Sequence, residues 1–496
     1  MTQIKENKNN PRQFSNHVFA LLFTSALGAL TWGYAQGVTA PTQDFLMKAV
    51  FPDVPKGLLY FTVAIRSIGC LVGSIIASPI ASKYGRRRGM MISDTFMLLT
   101  ALLHAVPYIE FLTISRFLIG IYIGLNCVFV PVFIGEISPT EIKARAGTLS
   151  SIFDSLGLLL AYLLGFGMPK SYLDHSNHWW QFMFLFGGVI PFVRLILLWK
   201  VYKHEPAIYS YLKGNKAKCI ETLNLIYTPE RAHQEYEFIK EGSTIIDNQS
   251  TKSSFKDLFR APYRKALLIG TFLVTQIQFT GFGFITSYAT SILKRTCCPH
   301  NDNSAEIFTI IIGLCSLVGS LMASYIIKST GRRTILRFGQ LWMMLISILF
   351  IFSTFRLLSS QVLKYFVVMG MFGYFLTLGP VKFIYLSEIL PDAGVSFANI
   401  WSSLAGFVVN QVAPLLMEYV GSWAPFTLFG IASGIGVLFS FFVLKETKGL
   451  SHFSCLSLYA PIESKHYNFQ STHFSDMEEK TDRREVSNKD TEIENA

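Results

Sequence analysis

The tetrad Glu136-Ile137-Ser138-Pro139 returns as Glu388-Ile389-Leu390-Pro391, and the triplet Gly85-Arg86-Arg87 returns as Gly331-Arg332-Arg333, each about half a chain length later. Each copy lies beside the end of a long apolar run. A chain that repeats its charged punctuation at half-length reads as two copies of one membrane unit. The apolar runs agree. Crossing a bilayer takes about 20 mostly apolar residues. Twelve stretches meet that demand: 17–38, 57–80, 89–109, 111–135, 147–168, 180–201, 263–293, 305–327, 334–355, 363–388, 397–420 and 424–444. The expected fold class is therefore an all-α membrane protein, with twelve transmembrane helices in two pseudo-symmetric bundles of six.

The expected organisation is a tail over 1–16, a bundle over 17–201, a polar linker over 202–262, a second bundle over 263–444 and a tail over 445–496. The linker's charges, from Lys213-Gly214-Asn215-Lys216 onward, read as short amphipathic surface helices. The last tail is polar and is expected to be disordered. No cleavable leader is expected, because the polar start runs straight into the first span.

Composition narrows the class. The 496 residues are 51% hydrophobic and 15% charged, with mean hydropathy +0.39. A soluble domain carries about 25% charged residues, so most of this surface does not face water. The net charge of +11 does not point to nucleic acid, since the basic residues form no stripe with interleaved aromatics. They fall in short loops, the pattern that sets orientation in a bilayer. Lys83, Arg86, Arg87, Arg88, Lys143, Arg145, Lys328, Arg332, Arg333 and Arg337 mark one side, with Lys5, Lys8 and Arg12 before the first span. Lys48, Lys56, Lys170, Lys294, Arg295, Arg356 and Lys364 mark the other. Both termini are therefore expected on the cytoplasmic side.

The seven cysteines lack zinc-site spacing, and no metal or cofactor is expected. Cys70, Cys127 and Cys315 read as small core residues. Cys297-Cys298 falls in a polar loop on the expected outer side, where a disulfide stays open. The sequon Asn248-Gln249-Ser250 lies in the cytoplasmic linker and is not expected to be glycosylated. There is no P-loop and no nucleophile–base arrangement, which excludes an ATP-driven pump and gives no sign of an enzyme.

Arg116-Phe117-Leu118-Ile119-Gly120 leads on to Phe129-Val130-Pro131-Val132-Phe133-Ile134-Gly135-Glu136-Ile137-Ser138-Pro139-Thr140. With Trp32-Gly33-Tyr34, Gly37-Val38, Gly147-Thr148-Leu149, Gly379-Pro380 and Glu446-Thr447-Lys448-Gly449, this order resembles the sugar-porter branch of the major facilitator superfamily, especially the animal-type facilitative glucose transporters. The resemblance covers roughly Phe19 to Leu450. It implies the major facilitator fold, alternating access, and a small polar substrate such as a sugar. The lipid bilayer, expected to be the plasma membrane, is the other partner, and a monomer is the expected working unit.

Intramembrane and membrane-edge charges are costly unless paired. Arg86, Arg116, Glu136, Arg145 and Glu205 are candidates for one cytoplasmic ion-pair layer, and Glu388 with Arg332 and Arg333 for its counterpart. The resemblance implies that such layers gate the cavity. Two departures alter the second layer: Lys328 stands where the family has an acid, and Asp392 to Ser396 lacks the usual Arg.

The resemblance places a sugar site on the fifth, seventh, eighth, tenth and eleventh spans. Gln278 and Asn410 fall on amide or polar positions. Ser151 and Ser316 replace amides, Phe383 and Phe407 replace tryptophans, Gly283 replaces an Asn and Phe375 a Glu. Ser403, Phe407 and Asn410 share one helical face by spacing. Asp154, Lys382 and Arg66 are new charges inside spans, and Asp154 and Lys382 are expected to face each other across the cavity or to bind a charged solute. Ala35 follows Gly33-Tyr34 where proton-driven members carry Asp, which suits passive uniport, while Asp154 keeps a proton-coupled alternative open. The leading expectation is facilitative hexose transport. The alternatives are a charged or zwitterionic solute on the same fold, and a non-transporting sensor.

Overall fold

The computed structural model of the chain describes residues 14–139, 142–169, 177–248, 259, 263–296, 302–355, 362–450, 455, 458 and 459. Cys297-Cys298 and most of the sequon lie outside them. Among the described residues there is no β-strand, only an isolated bridge between Phe14 and Tyr227.

The first span runs His17–Val50, the second Lys56–Tyr84, the third Arg86–His104, the fourth Ile109–Ile137, the fifth Leu149–Gly165 and the sixth Trp179–Val201. Three surface helices follow, Ala207–Leu212, Lys216–Ile226 and Pro229–Asn248. The seventh to twelfth spans are Arg264–Thr296, Asp302–Ser329, Arg332–Thr354, Leu363–Ile389, Asp392–Tyr419 and Trp423–Phe442. Among the described residues, ten of the twelve are long and apolar enough to cross a bilayer by length and composition alone. The fifth is shorter, and the third opens on Arg86, Arg87 and Arg88 and carries Asp94 in its middle.

Several boundaries move from the sequence reading. The first span continues past Val38 through Thr39–Phe45 and ends in a π-helical turn at Leu46–Val50, so Lys48 sits inside it. The third starts earlier, at Arg86, because Gly85 at φ +94° turns the chain sharply there. The seventh is broken at Phe279–Gly281 into Arg264–Gln278 and Phe282–Thr296. Gly281 has φ +84°, and a Cβ there would lie 2.4 Å from the Phe429 ring. The tenth is broken at Thr377, between Leu363–Leu376 and Leu378–Ile389.

Without water to drive apolar faces together, helices in lipid associate through close packing of small residues and buried polar contacts. The second and fourth spans meet this way, with Gly69, Gly73, Gly120 and Gly124 each backed by main-chain atoms of the facing helix. The surface is apolar as lipid requires: Leu99, Leu102, Tyr325 and Phe442 are 64–84% exposed.

One buried charge pair was not anticipated from the sequence. Arg194 of the sixth span donates from Nε and Nη2 to the two carboxylate oxygens of Asp94 at 2.8 and 2.5 Å. Nη2 also donates to Asn126 Oδ1 at 2.8 Å, and both charged side chains are fully buried. Both are ionisable residues within apolar runs, so the rule that singled out Arg66 would also have found them.

Candidate functional site

The repeated motifs lie together on one face of the molecule, termed here the basic face. Arg86 Nη2 is 2.7 Å from Glu136 Oε1, and Arg332 Nη2 is 3.1 Å from Glu388 Oε1. Each pair joins the start of a third helix to the end of a fourth helix within its own half. The second Arg of each triplet caps the sixth helix of that half. Arg87 donates to the carbonyls of Leu198 and Tyr202, and Arg333 Nη2 donates to that of Phe441 at 2.7 Å. An acid beyond that helix caps the Arg-rich start in return. Glu205 accepts from the backbone N–H groups of Arg87 and Arg88, and Glu446 from those of Arg332 and Arg333. Carboxylates suit a helix N-terminus, where N–H groups point outward and the dipole is positive.

Three expected members of these layers sit elsewhere. Arg116 is twenty residues before Glu136 on one continuous helix, about 30 Å away at 1.5 Å per residue. It lies near the opposite face, fully buried, donating from Nη1 to Thr39 Oγ1 at 2.6 Å with its guanidinium 5.3 Å from the Phe184 ring. Arg145 is exposed and forms no ion pair among the described residues. Arg333 caps the twelfth helix instead of meeting Glu388, because it is one residue further around the ninth helix than Arg332.

The halves are joined to each other at the opposite face. Lys56 Nζ of the first half lies 2.5 Å from Glu418 Oε1 of the second, whose other oxygen, Oε2, lies 2.5 Å from Arg295 Nη1 within its own half. Ser291 donates to Asp44 at 2.7 Å, Gln36 Nε2 to Thr286 Oγ1 at 2.6 Å, and Tyr162 OH to the Thr286 carbonyl at 2.9 Å. The second piece of the seventh span thus carries most of the cross-half bonds. None of these residues was singled out as a gate from the sequence, because their partners belong to spans far apart in the chain.

Between the halves lies a central cavity of about 110 Å³. Gln278 lines it and donates from Nε2 to Ser402 Oγ at 3.0 Å. Asn410 lines it, with Nδ2 bonded to the Gly406 carbonyl at 2.8 Å and Oδ1 buried without a partner. Gly283 leaves room that Asn410 fills, its amide nitrogen lying 3.3 Å from where a Cβ would stand. Phe383 lines the cavity and meets Trp32 of the other half edge to face, with centroids 6.3 Å apart.

Other expected site residues do not reach the cavity. Ser316 Oγ turns back to the Ile312 carbonyl at 2.7 Å. Ser151 is at the contact between the fifth and eighth spans, its carbonyl accepting from Ser320 Oγ at 3.3 Å. Phe407 meets the Phe61 ring, with centroids 6.1 Å apart. The lining face of the eleventh span is Asn399, Ser402, Ser403, Gly406 and Asn410, and Phe407 is rotated roughly 100° from Gly406. Phe375 is buried against Phe282 and Tyr374. Gln276, next to the expected amide run, turns outward to exchange two bonds with Gln340 of the ninth span.

Of the new charges, Lys382 and Arg66 line the cavity and Asp154 does not. Lys382 Nζ donates to Tyr374 OH at 2.8 Å and stands 4.8 Å from the Phe383 ring. Arg66 donates to the Ala35 carbonyl at 3.2 Å and to Ser287 Oγ of the other half at 3.3 Å. Asp154 lies against the first span, where a Cβ on Gly33 would be 2.9 Å from Oδ1. The field of Lys382 reaches Asp154. Among the described residues no ion pair joins the two within 4.0 Å.

A family model described as "Sugar (and other) transporter" matches residues 21–459. Hexose transporter 1 of Plasmodium knowlesi is 27% identical over 475 residues, covering 89% of this chain and 93% of its own. The arabinose-proton symporter of Bacillus subtilis (strain 168) is 26% identical, covering 90% of this chain and 98% of its own. The facilitated trehalose transporter Tret1 of Apis mellifera ligustica is 26% identical, covering 91% of this chain and 89% of its own. Among solved structures, a partially occluded inward-open conformation of the xylose transporter XylE from E. coli superposes with TM-score 0.76 at 22% identity, over 88% of this chain and all of that one. That likeness establishes the major facilitator fold.

Proposed function

The chain belongs to the sugar transporter family, and from that premise we propose that it carries a hexose or a related sugar through a membrane by alternating access, as a uniporter. The observation that carries this reading is the central cavity: Gln278, Asn410, Asn399 and Ser402 offer amide and hydroxyl groups between two pseudo-repeated halves, beside the rings of Trp32 and Phe383. Amides and hydroxyls match the donor and acceptor sites of a sugar, and a ring covers its apolar face. A solute site at the interface of two repeats serves a rocking mechanism. The contacts around Glu418 and Thr286 hold the halves together at the opposite face, while the Arg86–Glu136 and Arg332–Glu388 pairs brace each half to move as a unit.

Both driven and facilitated carriers stand among the relatives, so coupling rests on this chain's own residues. Ala35 offers no proton-binding group in the first span, which supports passive transport. The excess of Lys and Arg on the basic face supports a cytoplasmic position for that face and both termini. The plasma membrane and a monomeric unit complete the proposal.

Purified protein in liposomes, assayed with labelled glucose, arabinose and trehalose, tests it. The expected result is counterflow of at least one sugar, at a rate unchanged by a pH gradient. Acceleration by an inward proton gradient would replace uniport with proton coupling. Binding without uptake of any solute would replace transport with sensing.

A further inference from the structure

The cavity wall is unbalanced in charge. Among the described residues it carries Arg66 and Lys382 and no Asp or Glu. Arg66 is 6% exposed and Lys382 8%. A cation removed from water costs several kcal/mol unless it is paired, so each needs a counter-charge. Lys382 has one within reach of its field, Asp154, behind the lining. Arg66 is bonded to no carboxylate among the described residues: its bonds go to a carbonyl and a hydroxyl, and its field falls on the Cys70 thiol, the Tyr288 phenol and another cation, Arg116. A guanidinium has five N–H donors in a planar fork. Two are used here, which leaves donors for an incoming oxyanion.

The neighbours of Arg66 are sugar-binding in kind. Ser67 follows it, and a Cβ on Gly406 would touch Ser67 Oγ at 3.4 Å and Gln278 Cδ at 3.9 Å, so the second span, the eleventh span and the Gln278 amide converge on one spot. We propose that the cavity is specific for a sugar acid, with its carboxylate on Arg66 and its hydroxyls on Gln278 and Asn410. The solute would supply the carboxylate partner that Arg66 lacks among the described residues, and a planar carboxylate fits the fork in two parallel bonds. The buried Oδ1 of Asn410, which has no partner, accepts from a sugar hydroxyl. A neutral hexose would satisfy the amides and leave Arg66 uncompensated. A cationic or zwitterionic solute would need a carboxylate in the lining, and Asp154 does not reach it.

This inference rests on the reading of the chain as a sugar transporter, and one experiment separates the two. Proteoliposomes are given labelled D-glucuronate and, separately, labelled D-glucose, D-xylose and trehalose. The expected result is uptake of glucuronate over glucose by about tenfold or more, the range of one hydrogen bond to a charged group. Arg66→Gln should bring that ratio to about one, and Arg66→Lys, which keeps the charge and loses the fork, should fall between. The ratio within each variant is the readout, so loss of folded protein does not imitate the result. Monodisperse elution of Arg66→Gln confirms that it folds. Uptake of a neutral sugar that excess glucuronate does not inhibit overturns the sugar-acid inference and leaves the transport reading standing. No uptake of any of the four overturns both.

Discussion

Lys56 of the second span lies 2.5 Å from Glu418 of the eleventh, an ion pair that ties the two halves together at the opposite face. Arg295 shares the same carboxylate at 2.5 Å, so one acid anchors two cations. Lys56 is more than half exposed, and pairs of that kind contribute about 0.2–1 kcal/mol each. Glu418→Gln removes both and leaves Lys56 and Arg295 to repel each other. The expected result is a shift of roughly fivefold towards the conformation open at the opposite face, equivalent to about 1 kcal/mol. A thiol placed at Met417, beside the small cavity behind this lock, reports it as faster labelling by an impermeant reagent from that side. Equal labelling with and without Glu418 would show that the hydrogen bonds at Thr286 and Ser291 hold the face closed unaided.

Asp94 and Arg194 make the opposite kind of pair, with no exposed side-chain surface. Removing one partner of such a pair costs about 3–5 kcal/mol, because the other is left as a lone buried charge. Gly28 adds a constraint: a Cβ there would sit 1.8 Å from Arg194 Nη1, so the first span is fitted around the guanidinium. Asp94→Asn and Arg194→Met should each lower the melting temperature in detergent strongly. The double variant Asp94→Asn with Arg194→Met should recover much of the loss, because no charge remains to be compensated. Additive losses in the double variant would contradict the pairing.

Glu205 and Glu446 cap corresponding helices in the two halves, and Glu205 gives a signed pH effect. Burial raises its carboxyl pKa, against the opposing pull of the Arg87 and Arg88 backbone N–H groups and charges. A carboxyl whose pKa is higher folded than unfolded binds protons more tightly in the folded state. Its contribution is therefore greatest below the unfolded pKa and is lost as pH rises through the folded value. Glu205→Gln, which cannot ionise, should gain stability relative to the unaltered protein as pH rises above the ordinary Glu value of about 4.3. Melting curves of both across that range check the sign, and a difference that shrinks with rising pH would contradict it.

The repeated triplets and tetrads showed two membrane halves because each carries charge at a helix end, where sequence neighbours and spatial neighbours coincide. Arg86–Glu136 and Arg332–Glu388 were legible for that reason. Arg116 reads as a neighbour of Glu136 because their motifs follow one another in sequence, while the continuous helix between them sets the two about 30 Å apart. The order of flanking motifs singles out Gln278 and Asn410, and both line the cavity. Phe407 was not separated from its lining neighbours, because a one-residue step on a helix swings a side chain from cavity to interface. The lock at Glu418 joins the second, seventh and eleventh spans, a pairing set by how the halves close and not written in any local pattern.

Gly281 marks the joint between these two functions of the seventh span. Gln278, three residues before it, faces the cavity, and Thr286, five residues after it, holds the opposite face closed. The backbone at φ +84° is a left-handed conformation that costs a residue with a Cβ about 1–2 kcal/mol. The Phe429 ring, 2.4 Å from the Cβ position, adds a clash that is relieved only if the twelfth span gives way. Gly281→Ala should therefore lower the melting temperature and, in the transport cycle proposed above, slow transport together, since the break it strains joins the cavity-lining piece of the span to the piece bonded to the other half. Shortening the obstructing ring with Phe429→Leu removes the clash and leaves the backbone strain. The pair Gly281→Ala with Phe429→Leu should thus recover part of the stability but not all of it. Full recovery would mean that the φ of Gly281 matters little, and normal transport by Gly281→Ala alone would remove the joint from the mechanism.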